Sequence, residues 1–204
     1  MEGAALSPGI QGYVEPVRPQ AVIIAGPNGS GKSTVATHLL PEGLTFVNAD
    51  NIASEVAGVP GTPGDINSGR MLIEWVRRLE ETHADFAFET TLATRMLESR
   101  IKVWRKLGYQ VHLFFFWLPS PDLAVQRVQS RVRSGGHDVP DSTVLRRFKA
   151  GVHNFFDLYR PLVDTWRLYD NSSEIPRLIA KGERGAVKIG DREVWAHILE
   201  AHCR

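Results

Sequence analysis

Eight consecutive residues carry the chemistry that is most readily assigned from this sequence. The stretch is Gly26-Pro27-Asn28-Gly29-Ser30-Gly31-Lys32-Ser33, and it matches the pattern G-x-x-x-x-G-K-[ST]. Glycines let a backbone approach a polyphosphate without a Cβ in the way, and successive N–H groups then form an anion-binding nest. We expect Lys32 to reach the β- and γ-phosphates and the Ser33 hydroxyl to bind Mg²⁺. The stretch, extended by Thr34, predicts an ATP-phosphate site.

The flanks of this loop have the composition that such a site requires. Residues 21–25 form an apolar, β-branched run that predicts a buried strand, and residues 34–40 predict a helix that ends at Pro41. A strand before the loop and a helix after it place the loop at a helix N-terminus, where anions bind. The alternative is an ordinary glycine-rich turn, which does not require the Lys-Ser pair.

Acidic and hydroxyl side chains follow the next two predicted strands. Asp50 comes after a strand at 44–48, and Glu89 and Thr91 follow a strand that begins at residue 86. In a parallel sheet, ligands bind beyond the carboxyl ends of the strands, so these groups are expected in the cleft with the loop. Asp50 is a candidate general base or metal group, and the alternative is a turn aspartate. Glu89 and Thr91 are candidates for substrate or metal contacts, and the alternative is a helix cap.

Basic side chains are concentrated between residues 127 and 149. They flank a Gly135-Gly136 pair that predicts a hinge. Arginines on a closing flap stabilise the charge of a transferred phosphoryl group, whereas the alternative is a solvated helix face. We therefore predict an arginine-bearing helical lid over about 127–149. Its six cations are Arg127, Arg131, Arg133, Arg146, Arg147 and Lys149.

The elements that position these groups alternate between strand and helix patterns. Further strands are predicted at 111–118 and 166–169, and the predicted helices include one with Leu145, Phe148, Val152, Phe155 and Tyr159 at helical spacing. The alternation predicts an α/β fold with a five-stranded parallel sheet covered by helices on both faces, and the loop at 26–33 makes it a P-loop NTPase/kinase fold. A short strand near 178–179 and a final helix from about 193 complete a single domain over 20–204. Residues 1–19, rich in Pro and Gly, predict a flexible N-terminal arm.

Composition narrows the classes of partner. The 204 residues are 43% hydrophobic, and 24 basic side chains nearly balance 23 acidic ones. This near-neutral charge argues against a general nucleic-acid or membrane-surface binder. The single cysteine, Cys203, excludes an internal disulfide framework, and the longest apolar run, 113–118, is too short to span a bilayer. With no signal-peptide pattern at the N-terminus, a cytoplasmic location is expected.

Taken together, the motifs resemble a known family. GPNGSGKST, VNAD, FETTLATR, RVQSRVRSGGHDVP and LYDNS, in this order over residues 20–175, are similar to the zeta-toxin family of P-loop kinases, in particular its short stand-alone bacterial members. The resemblance implies an ATP- and Mg²⁺-dependent kinase that phosphorylates the 3′-hydroxyl of the sugar in UDP-N-acetylglucosamine. It also implies a cognate antitoxin protein that blocks the nucleotide site.

The resemblance also implies roles for individual residues. Lys32 and Ser33 would bind phosphate and metal, and Asp50 would be the base. The substrate would be contacted by Glu89 and Thr91, with Arg95 nearby.

For the lid, the resemblance implies that Arg127 or Arg131 acts on the phosphates and that Asn171 lies beside the adenine. Two departures from the family pattern bear on the sugar substrate. Two residues intervene between Thr91–Leu92 and Arg95, and the second lid arginine of the family falls near His137, so that Arg146 or Arg147 would substitute.

Two other functions use the same loop. One is a nucleoside or polynucleotide kinase, and the other is an ATP-driven switch without group transfer. A GTPase switch would require an Asn/Thr-Lys-x-Asp segment for base recognition, and the sequence contains none.

Overall fold

The structure is a computed structural model that describes residues 18–47, 74–183 and 185–202. Within these residues seven strands form one sheet in the order β2-β3-β1-β4-β5-β6-β7. The strands are β1 (Gln20–Ala25), β2 (Thr45–Val47), β3 (Phe86–Thr90), β4 (Gln110–Trp117), β5 (Thr165–Asp170), β6 (Arg177–Glu183) and β7 (Ala186–Ile189).

The first five strands are the predicted parallel sheet, and two antiparallel strands extend it. β2, β3, β1, β4 and β5 pair in parallel, whereas β6 and β7 pair antiparallel. The predicted count of five strands is therefore short by two. β6 was expected only as a short strand, and β7 was not expected because all four of its residues are exposed and show no burial alternation.

Helices cover the parallel part of the sheet and extend beyond it. They are α1 (Lys32–Leu39), α2 (residues 74–81), α3 (Leu97–Lys106), α4 (Pro121–Arg133), α5 (Asp141–Asn154) and α6 (Arg192–His202). In the sequence, Ser120-Pro121-Asp122 predicts a helix start, with a cap, a proline at the first position and an acid in the first turn. The structure confirms it, since α4 begins at Pro121 and the Ser120 hydroxyl accepts a hydrogen bond from the Leu123 N–H (3.1 Å). α5 does not continue as an α-helix through residue 159, because it changes into a single π-helical turn at Phe155–Tyr159.

The main core lies on one face of the sheet and is largely aromatic. Phe86 and Phe88 of β3 pack against Trp104 of α3, and Phe115 of β4 packs against Phe155 of the π-helical turn. A second cluster joins α4 to α5, where Val128 meets the fully buried Val144. Leu145, predicted as a core position, is instead 41% exposed, since the buried face of α5 is turned one residue away from it.

Several predictions fall outside the described residues. They are residues 1–17 of the predicted arm, the last residue of the strand predicted at 44–48, and Asp50. Among the helices that the structure describes, none is long and apolar enough to cross a membrane.

Candidate active site

The phosphate-binding loop joins β1 to α1 and has the backbone that its glycines predict. Gly26, Gly29 and Gly31 have φ angles of +143°, +76° and +78°, a region that other residues rarely adopt. Left-handed residues such as Gly29 and Gly31 allow successive N–H groups to turn toward one side, as in an anion nest. Gly31 also precedes the first turn of α1, so the nest lies at a helix N-terminus.

The loop is packed tightly on neighbouring backbone. A Cβ on Gly26 would overlap the Phe116 carbonyl oxygen of β4, and a Cβ on Gly29 would lie 2.6 Å from the Ala124 carbonyl oxygen of α4. These two positions therefore require glycine for close approach as well as for conformation. The packing sets the loop at the carboxyl ends of β1 and β4, where the α/β fold places its ligands.

Lys32 is the buried cation of the loop. Its side chain is only 8% exposed, and Nζ donates a hydrogen bond to the Pro27 carbonyl oxygen at 2.9 Å. The Lys32 side chain thus extends from the C-terminal end of the loop back to Pro27 near its start. An ammonium group held at the nest can neutralise the β- and γ-phosphates of a nucleotide.

Ser33 and Glu89 form the contact that defines the chemistry of the site. The Ser33 hydroxyl donates to Glu89 Oε2 at 2.8 Å, and Glu89 is 8% exposed. Strand pairing brings them together, because Ile24 of β1 is in register with Glu89 of β3. A hydroxyl beside a carboxylate supplies the hard oxygen ligands that Mg²⁺ takes in phosphate sites, so these residues fit the expected ion.

Asn171, in the loop after β5, is tied to the phosphate-binding loop. Asn171 is buried, and its Nδ2 donates to the Ser30 carbonyl oxygen at 2.6 Å. A Cβ on Gly31 would lie 2.8 Å from the same Nδ2 atom. The loop after β5, which the family resemblance places beside adenine, is thereby fixed against the loop predicted to hold the phosphates.

Arg127 binds the loop that contains Asn171 through two hydrogen bonds. Its guanidinium donates to the carbonyl oxygens of Asn171 (2.8 Å) and Ser172 (2.7 Å). Arg131, one turn later on α4, donates to the His137 carbonyl oxygen at 2.9 Å and so closes the turn between α4 and α5. The structure places one arginine at the expected base loop and the other in the lid turn, and their contact with the γ-phosphate remains a prediction.

Arg147 of α5 is the lid cation that meets the phosphate-binding loop. Its Nη1 lies 3.5 Å from Asn28 Oδ1. The neighbouring Arg146 is exposed on the outer face of the helix. Of the two arginines proposed as substitutes for a family lid arginine, the structure therefore brings Arg147 to the site.

The segment after β3 carries the remaining predicted site residues. Thr91 is half-buried, and its carbonyl oxygen lies directly against Gly151 of α5. The Arg95 side chain is 74% exposed, and its Nη2 lies 3.6 Å from Glu98 Oε2. Of the predicted strand-end groups, the structure brings together the loop and Glu89, whereas Asp50 lies outside the described residues.

Two residues at this site were not singled out from the sequence. They are Gly151 and Asn154, which contact the segment after β3 from α5. The available signal was their spacing from Arg147: positions i, i+4 and i+7 share one face of a helix.

A match to a family model shows the family to which this chain belongs. A family model for an AAA domain, AAA_33, matches residues 22–154. The chain belongs to this family. An uncharacterized protein of Haemophilus influenzae (strain ATCC 51907 / DSM 11121 / KW20 / Rd) is 29% identical over 129 residues, which are 63% of this chain and 92% of that protein.

Solved structures of similar fold include two complexes. AvrRxo1-ORF1:-ORF2, determined with ATP, has a TM-score of 0.67 at 18% identity over 89% of this chain. The PezAT chromosomal toxin–antitoxin system of Streptococcus pneumoniae has a TM-score of 0.58 at 14% identity, over 95% of this chain and 88% of that one. The chain spans 63% of the AvrRxo1 chain that it matches. At these identities the likeness establishes the P-loop kinase-like fold.

Proposed function

We propose that this AAA-domain protein is an ATP- and Mg²⁺-dependent phosphotransferase that moves the γ-phosphate to a hydroxyl of a small molecule. The observation that carries the proposal is the Ser33–Glu89 contact at 2.8 Å beside the phosphate-binding loop. A loop alone binds nucleotide, whereas a buried carboxylate beside the loop serine adds the metal side of phosphoryl transfer.

Four groups of the chain divide the work. Lys32 and the loop N–H groups would hold the β- and γ-phosphates. Ser33 and Glu89 would hold Mg²⁺, which would supply charge neutralisation at the transferred group. Arg147, which approaches the loop from α5, stabilises the negative charge that spreads over the phosphoryl oxygens. Asp50 is the proposed base that accepts the proton of the acceptor hydroxyl.

The finer proposal is that the acceptor is a UDP-sugar, with UDP-N-acetylglucosamine first, and that a cognate antitoxin covers the site. It rests on the resemblance of the motifs to zeta toxins. The PezAT structure, which shares the fold, is described as a toxin–antitoxin system.

The test is a transfer assay with purified protein, γ-labelled ATP and Mg²⁺. Acceptors are UDP-N-acetylglucosamine, free nucleosides and RNA with a 5′-hydroxyl, and mass spectrometry locates the new phosphate. We expect transfer to the UDP-sugar. Transfer to nucleosides or RNA ends instead would assign the kinase to those acceptors. Hydrolysis without transfer to any of them would favour an ATP-driven switch.

Two lysine variants test whether turnover depends on the lysine of the phosphate-binding loop and not on lysines elsewhere on the surface. Lys32→Ala removes the ammonium at the nest and is expected to abolish turnover. Lys106→Ala removes an exposed lysine at the end of α3 and is the matched control, with unchanged turnover expected. Full activity in folded Lys32→Ala protein would refute the phosphotransferase proposal.

A further inference from the structure

One face of α5 runs from the phosphate-binding loop to the segment after β3. Arg147, Gly151 and Asn154 are spaced i, i+4 and i+7, which brings them onto a single face. Arg147 lies at the loop end of this face, 3.5 Å from Asn28 Oδ1. A rise of 1.5 Å per residue sets the Cα atom of residue 154 about 10 Å farther along the helix.

The far end of this face contacts residues 91–96, which we call the acceptor loop because Thr91 is the predicted substrate contact. Gly151 has no room for a Cβ, which would overlap the Thr91 carbonyl oxygen. One turn later, Asn154 Nδ2 donates to the Leu92 carbonyl oxygen at 2.7 Å. Helix and loop therefore meet backbone to backbone at Gly151 and are joined by a side-chain hydrogen bond at Asn154.

Leu92 shows that the acceptor loop is held in an unfavourable shape. Its φ is +54°, in the left-handed region that a leucine side chain disfavours, while its side chain is 1% exposed in the main core. The Leu92 N–H is bonded to Thr90 Oγ1 at 3.2 Å, and its carbonyl is bonded to Asn154. Strain of this kind persists only where the surroundings fix it, and it concentrates at functional sites.

A second anchor secures the other half of the loop. The Tyr159 hydroxyl donates to the Thr94 carbonyl oxygen at 2.6 Å. Tyr159 ends the π-helical turn that follows α5, and its side chain is fully buried. π-Helical turns are rare and frequently occur at functional sites.

We infer that Gly151 and Asn154 are positioning residues that couple the lid helix to the acceptor loop. Through them, α5 sets the distance between the transferred phosphate, contacted by Arg147, and the acceptor hydroxyl, contacted by Thr91. This inference rests on the proposed function for the meaning of that distance. Reacting atoms held in near-attack geometry account for a large part of transfer rates, so a small displacement of this loop lowers turnover more than it lowers ATP binding.

The first experiment measures the coupling without an acceptor. Hydrogen exchange of residues 90–96 is followed with and without the non-hydrolysable analogue adenylyl imidodiphosphate and Mg²⁺. In the wild type, we expect the analogue to protect these residues together with the phosphate-binding loop. In Asn154→Ala, protection of residues 90–96 should fall about tenfold, the usual effect of one lost hydrogen bond, while protection of residues 26–33 persists.

The matched control is the adjacent His153→Ala. The His153 side chain is 62% exposed, and its Nε2 lies 3.3 Å from the exposed Asp157 of the π-helical turn, so its removal takes away no contact with residues 91–96 described above and should leave both protections at wild-type values. Three results would overturn the inference: no analogue-dependent protection of residues 90–96 in the wild type, equal protection in Asn154→Ala, or an equal loss in His153→Ala.

The second experiment measures kinetics with Gly151→Ala, in which the new methyl group forces helix and loop apart. We expect turnover with acceptor to fall about 10²-fold while the Kd for ATP changes less than twofold. Loss of ATP binding in step with turnover would assign Gly151 to structure alone. Failure of the wild type to phosphorylate any acceptor would refute the proposed function, whereas the exchange experiment would still decide the coupling.

Discussion

Replacing Gly31 by alanine tests how the phosphate-binding loop is held to the loop after β5. Gly31 has φ +78°, and an added Cβ would lie 2.8 Å from Asn171 Nδ2. An alanine in the left-handed region costs about 1–2 kcal/mol. Displacing Asn171 also disturbs its 2.6 Å bond to the Ser30 carbonyl, which adds about 1 kcal/mol. The total loss in free energy of unfolding is therefore about 2–3 kcal/mol.

Gly43→Ala is the matched control for this change. Gly43 has φ +82°, but nothing lies within 4 Å of an added Cβ, so only the left-handed cost of about 1–2 kcal/mol is expected. Urea unfolding followed by tryptophan fluorescence measures both variants, and calorimetry measures ATP binding. Hydrogen bonds to charged groups contribute about 1.5–3 kcal/mol, so losing one nest contact in Gly31→Ala should weaken ATP binding at least about tenfold. Equal stability losses with wild-type affinity in both variants would refute the reasoning.

Three further outcomes are expected. Arg147→Ala should lower the rate of phosphate transfer about 10²-fold, the usual effect of removing one charge-stabilising donor. The exposed Arg146→Ala should leave the rate unchanged, and equal rates in both variants would mean that another residue supplies the lid charge. Burial raises the pKa of Tyr159 to about 12, above its ordinary value near 10. Its contribution to the free energy of unfolding is therefore intact below pH 10 and is lost as pH rises toward 12. Between pH 9 and pH 11, urea unfolding should show a smaller loss of free energy of unfolding in Tyr159→Phe than in the wild type. Asp50→Asn should cut turnover about 10²–10⁴-fold with ATP affinity retained. Glu89→Gln should instead raise the Mg²⁺ concentration needed for half-maximal rate, and the reverse pattern would make Glu89 the base and Asp50 the metal group.

The parallel part of the fold was predictable because its signals are local. β1 and β4 are apolar runs, and Ser120-Pro121-Asp122 marks a helix start that the structure confirms. The antiparallel extension was not predictable in the same way. β7 has no buried position, so its pairing depends on β6 beside it and on a turn at Gly185, whose φ is +86°.

The candidate site divides along a similar line. The phosphate-binding loop is a contiguous motif, so its residues are found by pattern. The roles of the lid arginines, in contrast, are distinguished only by the atoms that each arginine contacts. Arg127 binds two carbonyl oxygens after β5, Arg131 binds one in the lid turn, and Arg147 approaches Asn28. A run of basic residues in a sequence does not distinguish these contacts, since they depend on where each turn of the two helices faces.

The contact between Ser33 and Glu89 also bears on which acid accepts the proton. Glu89 is buried, and one of its oxygens already accepts the Ser33 hydroxyl, so with Ser33 it would hold a metal ion bound at the phosphate-binding loop. A general base must instead lie within hydrogen-bond reach of the acceptor hydroxyl, opposite the leaving nucleotide. Val47, the last residue of β2, is in register with Phe88, so β2 ends at the same edge of the sheet as Glu89. Asp50 follows β2 by three residues in the sequence, so its role as the base, with Glu89 as the metal contact, stays a prediction that the Asp50→Asn and Glu89→Gln variants test.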